Sequence, residues 1–164
     1  MIRKGFVVLA AVLPAGILGR LLRSWFLLSR PLTLGVRGAV FDQDGRVLLV
    51  RHTYVPGWHL PGGGVEPGES AEAALARELV EEAGVEITGP VRLHGVFHNP
   101  LVAPRDHVLV FVVRNHRPAP DARPDPEIAD ARYVHPDELP AGTSDDTRAR
   151  LREIGAGIAA PARP

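Results

Sequence analysis

The chain of 164 residues contains no cysteine. That excludes disulfides, thiol nucleophiles and cysteine-ligated zinc, and leaves the compartment open. Neither sign of charge dominates, with 19 basic and 19 acidic residues, so no general affinity for nucleic acid is implied. Of the seven histidines, no two have the spacing of a zinc-binding helix, which places most of them on the surface or in loops. There is no internal repeat. No acid precedes Asp42, although residues 1–41 hold six basic residues. An apolar run long enough to cross a bilayer, about 20 residues, is also missing near the start; Phe6 to Gly19 is an uncharged run of 14.

Residues 1–30 therefore stand apart as a basic, apolar, helical segment. From Leu18 to Leu28 the apolar character continues, with Arg20, Arg23 and Ser24 as a narrow polar stripe at helical spacing. Three readings compete for it: a helix that spans or lies on a membrane, a helix packed on the domain or in a homodimer, and a cleaved signal peptide. They set the expected location as the cytoplasm, with membrane association added under the first reading.

The length suits one domain with a real core. It is expected over residues 31–155, followed by a flexible Ala/Gly/Pro tail at 156–164. Strands are expected at Thr33–Phe41 and Val47–Arg51, joined as a hairpin through the Asp42-Gln43-Asp44-Gly45 turn. Thr53–Gly64 reads as a loop. Further strands are expected at Val91–Phe97, His107–Val113 and Ile128–Val134. A short helical turn is expected at Pro136–Leu139, and a last helix at Ser144–Ile154 capped by Ser144. The order β-β-α-β-β-β-α is that of an α/β fold, with helices packed on a mixed sheet.

The stretch from Gly63 to Val85 carries the chemistry. Gly63 is followed after five residues by Glu69, and after seven more by Arg77-Glu78-Leu79. One residue later come Glu81-Glu82, and after one more Gly84-Val85. Ser70 caps a helix start, with Glu72 in the first turn where negative charge suits the dipole. Ala71–Ala83 is rich in Ala, Leu and Glu, strong helix formers, and Gly84 supplies the left-handed stop. At about 100° per residue, Glu78 and Glu82 share a face flanked by Glu81, with Ala76, Leu79, Val80 and Ala83 expected largely opposite. Carboxylates this close repel unless a cation sits between them. Hard oxygen ligands suit Mg²⁺ or Mn²⁺ better than zinc. The glycines of Leu60-Pro61-Gly62-Gly63-Gly64 let backbone approach a ligand closely.

Position for position, this stretch resembles the signature of the Nudix hydrolases. The resemblance covers about residues 32–140. It implies an α/β/α sandwich and hydrolysis of a small-molecule nucleoside diphosphate linked to another group. It also implies Mg²⁺, with Mn²⁺ as substitute, bound by Glu78 and Glu82, by Glu81 as further ligand or water-binding group, and by the Gly62 carbonyl. Arg77 is expected to point off the ligand face and to hold a neighbouring glutamate by a bidentate pair. Glu69 is expected to anchor loop to helix or to bind a metal-bound water. Glu78, Asp106, Glu127 and Asp130 are candidates for the general base. Arg51, Trp58, Arg105 and Glu127 are the substrate-binding candidates, Arg51 and Arg105 for phosphate and Trp58, like Tyr54, for stacking on a base. Pro100, 15 residues past Val85, matches the place of a proline in some ADP-ribose pyrophosphatases of the family, and a turn explains it equally well. The alternative to an enzyme is a Nudix-fold nucleotide-binding or regulatory protein without turnover, which is disfavoured because every glutamate of the signature is present.

Overall fold

The structure, a computed structural model, describes residues 32–100, 104–123 and 125–158. Segment 1–30 and the tail beyond 158 lie outside the described residues. Among the described residues, seven strands and two helices follow one another as β1 (Thr33–Val40), β2 (Val47–His52), α1 (Ala71–Ala83), β3 (Val85–Ile87), β4 (Arg92–His98), β5 (Asp106–Val113), β6 (His116–Pro118), β7 (Ile128–Val134) and α2 (Asp145–Gly155).

β1 runs parallel to β5, and β5 antiparallel to β4. β2 pairs antiparallel with β7, and β3 with β6. The expected hairpin between β1 and β2 does not form. The turn is there, with Gly45 at φ 78° and Asp42 N–H donating to the Arg46 carbonyl at 2.9 Å. Beyond it only the Phe41–Val47 bridge joins the two strands. The reason lies in the segment expected to be a plain loop. Residues 59–65 run extended between β1 and β2. Val36 and Gly38 N–H donate to the Gly63 and Pro61 carbonyls at 2.9 and 2.8 Å, and Val50 and His59 exchange both backbone bonds at 2.9 Å. That segment takes the place a hairpin partner would occupy, and it fixes the glycines against β1.

Strand alternation sends side chains to two faces. Val36, Val40, Leu48, Phe111 and Val113 pack with Ala74, Leu75 and Leu79 of α1. Ala39, Phe41, Val47, Leu49, Val110 and Val112 pack with Trp58, Leu60 and with Leu151 and Ile154 of α2. A mixed sheet with helices packed on it is what the element order implied, and one helix on each face gives the α/β/α sandwich that the resemblance implied. On the α2 side, Glu153 ties helix to strand. It sits 3.0 Å from the His94 Nε2 of β4 and accepts from Arg150 Nη2 at 2.7 Å.

Both helix starts match the sequence reading. Ser70 accepts the Ala73 N–H at 3.1 Å and Ser144 that of Thr147 at 3.3 Å. Gly84, at φ 62°, ends α1 and donates to the Val80 carbonyl. Two strands went unread, β3 and β6, each three residues long and too short to show alternation. Pro136–Leu139 forms a single turn closed by Glu138 N–H on the His135 carbonyl, not a helix. Among the described residues no helix is long and apolar enough to cross a membrane.

Candidate active site

The helix α1 and the glycine segment face each other, and their contacts are specific. Gly62 donates its N–H to Glu82 Oε2 at 2.7 Å. At φ 136° it adopts a conformation open to glycine, and a Cβ there would overlap the Val36 carbonyl. A Cβ on Gly63 would overlap the Glu78 carboxylate. Both residues are glycine because backbone, carboxylate and strand share this space.

Arg77 organises the carboxylates. Its Nε and Nη2 donate to the two oxygens of Glu69, each at 3.1 Å. Nη2 also reaches the Gly64 carbonyl at 3.1 Å, and Nη1 reaches Glu78 at 2.8 Å and Glu81 at 3.1 Å. The expected bidentate pair is therefore with Glu69, eight residues back, which anchors the loop to the helix. The expectation that Arg77 points off the ligand face does not hold. A flexible side chain on the adjoining helix position reaches round to the carboxylates, where its charge relieves their repulsion. The bond to Glu69, ahead of the penalty of burial, raises the guanidinium above its ordinary value, and Glu69 is lowered in turn.

Glu82 also departs from the expected layout. Its side chain is 9% exposed and Glu78 13%, whereas Glu81 is half exposed. On a helix of 3.6 residues per turn, Leu75, Leu79 and Glu82 form one stripe, so Glu82 lies along the buried face and not opposite it. Burial pushes its carboxyl up to about 7, while the Gly62 N–H and the charge of Arg37 pull it down. Its Oε1 lies 3.7 Å from Nε2 of His52, whose side chain is 7% exposed. Burial, then the charge of Arg37, holds that imidazole below its ordinary value. Arg37 and His52 were not among the residues read from sequence. The signal was a single charge inside the apolar strand Thr33–Phe41 and a histidine two residues past the apolar run Val47–Val50.

A family model described as NUDIX domain matches residues 31–154. The chain belongs to the Nudix family. It is 34% identical over 108 residues to a Bacillus subtilis (strain 168) protein named "Putative 8-oxo-dGTP diphosphatase", a match covering 66% of this chain and 70% of that one. It is 46% identical over 74 residues to "Diphosphoinositol polyphosphate phosphohydrolase 2" of Rattus norvegicus, over 44% of this chain and 40% of that relative. Among solved structures, a NUDIX hydrolase from Nitrosomonas europaea superposes with a TM-score of 0.65 at 26% identity, covering 80% of this chain and 93% of that one. Nudix hydrolases generally use divalent metal ions.

The donor set of this Nudix chain fits such an ion. Glu78 and Glu82 present hard carboxylate oxygens against Gly63 and Gly62, and a cation there would offset the burial that raises Glu82. Among the described residues, however, no three acids or histidines converge on one point. The carboxylates are turned instead toward Gly62 and Arg77.

The outlying candidates divide. Glu127 comes to the Nudix site. Its carbonyl accepts the Thr53 N–H at 2.8 Å, and its charge bears on Tyr54 and His52. Tyr54 is 65% exposed, within 5.4 Å of the His52 ring. Trp58 does not serve as a stacking surface here. It is 5% exposed, belongs to the α2-side core, and carries the Arg132 guanidinium 4.1 Å above its ring. Arg51 is exposed on β2 opposite Asp130, 5.6 Å from the same ring. Asp106 is buried and both its oxygens are taken, by Thr33 at 2.7 Å and Asn99 at 2.8 Å, which suits holding the start of β5 and not proton transfer. Asp130 lies 3.9 Å from Arg132. Arg105 is exposed in the turn before β5, its carbonyl 3.3 Å from His107 Nδ1.

Proposed function

We propose that this chain hydrolyses a diphosphate bond in a nucleoside diphosphate linked to another group, with Mg²⁺ as cofactor. The observation that carries this reading is the pair Glu78 and Glu82 set against Gly62–Gly63, with Glu78 braced by Arg77 and Glu82 by the Gly62 N–H. Glu78 and Glu82 would hold the cation, Glu81 would ligate it or its water, and the Gly62 carbonyl would complete the protein's share. When bound, Mg²⁺ neutralises charge on the diphosphate oxygens and makes a water more acidic. The water oxygen bonds to one phosphorus, the bridging oxygen leaves with the other phosphate, and the proton of the water passes to a carboxylate. Glu78 and Glu127 are the carboxylates placed for it.

Arg77 fixes three carboxylates by four hydrogen bonds and the Gly64 carbonyl by a fifth, so it orients ligands and does not bind substrate. Tyr54, exposed and 5.4 Å from the His52 ring, offers an aromatic surface for a base. The names of the relatives point to substrates rich in phosphate, an oxidised nucleoside triphosphate and a diphosphoinositol polyphosphate, and these join ADP-ribose in the range to be tested. Segment 1–30 is proposed to bring the enzyme to anionic membrane surfaces. A Mg²⁺-dependent screen of diphosphate compounds, with products identified by mass spectrometry, tests the reading. Turnover of none of them would leave a binding protein in its place.

A further inference from the structure

His98 closes β4 and His107 stands at the start of β5, and the two are register partners across the antiparallel pair. Their side chains therefore leave the sheet on the same face. The next pair along is Asn99 with Asp106, where the Asn99 N–H donates to the Asp106 carbonyl at 2.8 Å. Hydrogen-bonded and non-hydrogen-bonded pairs alternate in such a ladder. His98 and His107 are thus a non-hydrogen-bonded pair, the kind that brings side chains closer. Their ring centroids lie 5.3 Å apart, with 38° between the planes. The register is pinned at this end. Asp106 is buried and accepts from Asn99 Nδ2 at 2.8 Å and from Thr33 Oγ1 at 2.7 Å, which also ties β5 to β1.

The backbone around the two rings sets which nitrogen of each carries the proton. His98 Nε2 lies 3.0 Å from the Pro104 carbonyl, and His107 Nδ1 lies 3.3 Å from the Arg105 carbonyl. A carbonyl only accepts, so the ring nitrogen facing it is the one that carries the proton. In a neutral imidazole the other nitrogen then holds a lone pair. That atom is Nδ1 in His98 and Nε2 in His107. A carbonyl on the far nitrogen is also the partner that metal-ligating histidines have, because it orients the ring and raises its basicity. Both rings can be reached from solution, His98 being exposed and His107 half-buried. Imidazole suits Zn²⁺, Cu²⁺ and Ni²⁺, whereas Mg²⁺ prefers oxygen.

We propose that His98 and His107 form a two-histidine site for a divalent transition-metal ion, of the class of Zn²⁺, Cu²⁺ or Ni²⁺, at the end of the β4–β5 pair. His98 binds through Nδ1 and His107 through Nε2. Water completes the coordination, since among the described residues no third acid or histidine joins the pair. The site differs in kind from the carboxylate cluster, which offers oxygen to a hard ion, and it does not rest on the hydrolase reading. A bound ion cross-links β4 to β5, and a ligand of the folded state raises its stability by mass action. The spacing of these two histidines along the chain carries no metal signature; strand pairing alone brings them together.

The test is calorimetric titration of Zn²⁺ into the full chain in excess Mg²⁺, which keeps the carboxylate cluster supplied with a hard ion. The readout is binding, so turnover plays no part in the outcome. The wild type should bind Zn²⁺ saturably. His98→Ala and His107→Ala should each weaken that binding at least about tenfold, since loss of a ligand's hydrogen-bond partner alone costs that much. His135→Ala, which removes an exposed histidine after β7, should bind as wild type. Zn²⁺ should also raise the melting temperature of the wild type and leave that of both site variants unmoved. Wild-type affinity in either site variant overturns the proposal, and so does the absence of saturable binding to the wild type. If the variants do not fold, proton NMR of the wild-type histidine rings under substoichiometric Cu²⁺ decides. Broadening of His98 and His107 together, ahead of the other histidines, supports the site; broadening of one without the other, or of all alike, overturns it.

Discussion

Arg77 grips Glu69 through both carboxylate oxygens, Nε to Oε1 and Nη2 to Oε2, each at 3.1 Å. The pair joins the end of the loop, just before the Ser70 cap, to the middle of α1, and the remaining donor nitrogen of Arg77 then sets Glu78 and Glu81. Arg77→Ala should therefore lower activity by roughly 10- to 100-fold and weaken metal affinity, with KM little changed. Arg77→Lys should not rescue it, since an ammonium cannot make the fork. Steady-state kinetics across a Mg²⁺ titration measures both, and wild-type rate and metal affinity in Arg77→Ala would remove the supporting role.

Removal of the cation should abolish turnover. Dialysis against chelator is expected to stop the reaction and millimolar Mg²⁺ or Mn²⁺ to restore it. Glu78→Gln and Glu82→Gln should each lower kcat by on the order of 10³. Full activity in excess chelator, or a loss below about tenfold in both variants, contradicts the roles given to these glutamates.

The β1–β2 turn makes a pH prediction. Asp42 accepts the Arg46 and Asp44 N–H groups at 2.8 and 3.0 Å and the Arg46 side chain at 2.8 Å. Burial opposes its ionisation, but these bonds outweigh it and hold the carboxyl below its ordinary value of 3.8. A depressed folded-state value stabilises the protein above the unfolded value, and that contribution fades as pH falls through the folded one. Asp42→Asn should thus melt lower than wild type at pH 7, and the gap should close below about pH 4. Thermal melts from pH 2 to 7 measure it; a gap that persists at the acid end refutes the assignment.

Glu153 should matter for stability. It neutralises Arg150 and bonds His94, whose side chains are 9% and 1% exposed. Arg150 also lies 3.7 Å over the Phe97 ring. Glu153→Ala leaves a buried cation without its partner, which costs about 3–5 kcal/mol. Urea denaturation at pH 7 should show the midpoint drop, and a midpoint equal to wild type would mean that water already serves the pair.

Segment 1–30 carries the remaining prediction. Its basic, acid-free and apolar sequence suits anionic headgroups. Deleting it should leave an active hydrolase and abolish co-sedimentation with anionic liposomes. A full-length protein that ignores liposomes, together with a truncated one that aggregates, would make the segment part of a core or dimer.

Sequence alone determined the local parts of this protein. The helix Ala71–Ala83, its Ser70 cap and its Gly84 stop follow from propensity and from conformations few residues adopt, and these act within a turn or two of chain. The identity of the carboxylate cluster follows from spacing along one helix, which is also local. Tertiary structure decided what depends on distant partners. β1 pairs with β5 across some 70 residues, and the glycine segment enters where a hairpin was expected, because pairing is chosen by which faces can be buried together. Burial set Glu82 beside Leu79, placed Trp58 in the core, and enclosed the side chain of His52 next to Glu82. A side chain's exposure and its partners are properties of the packed molecule, and no window of sequence contains them.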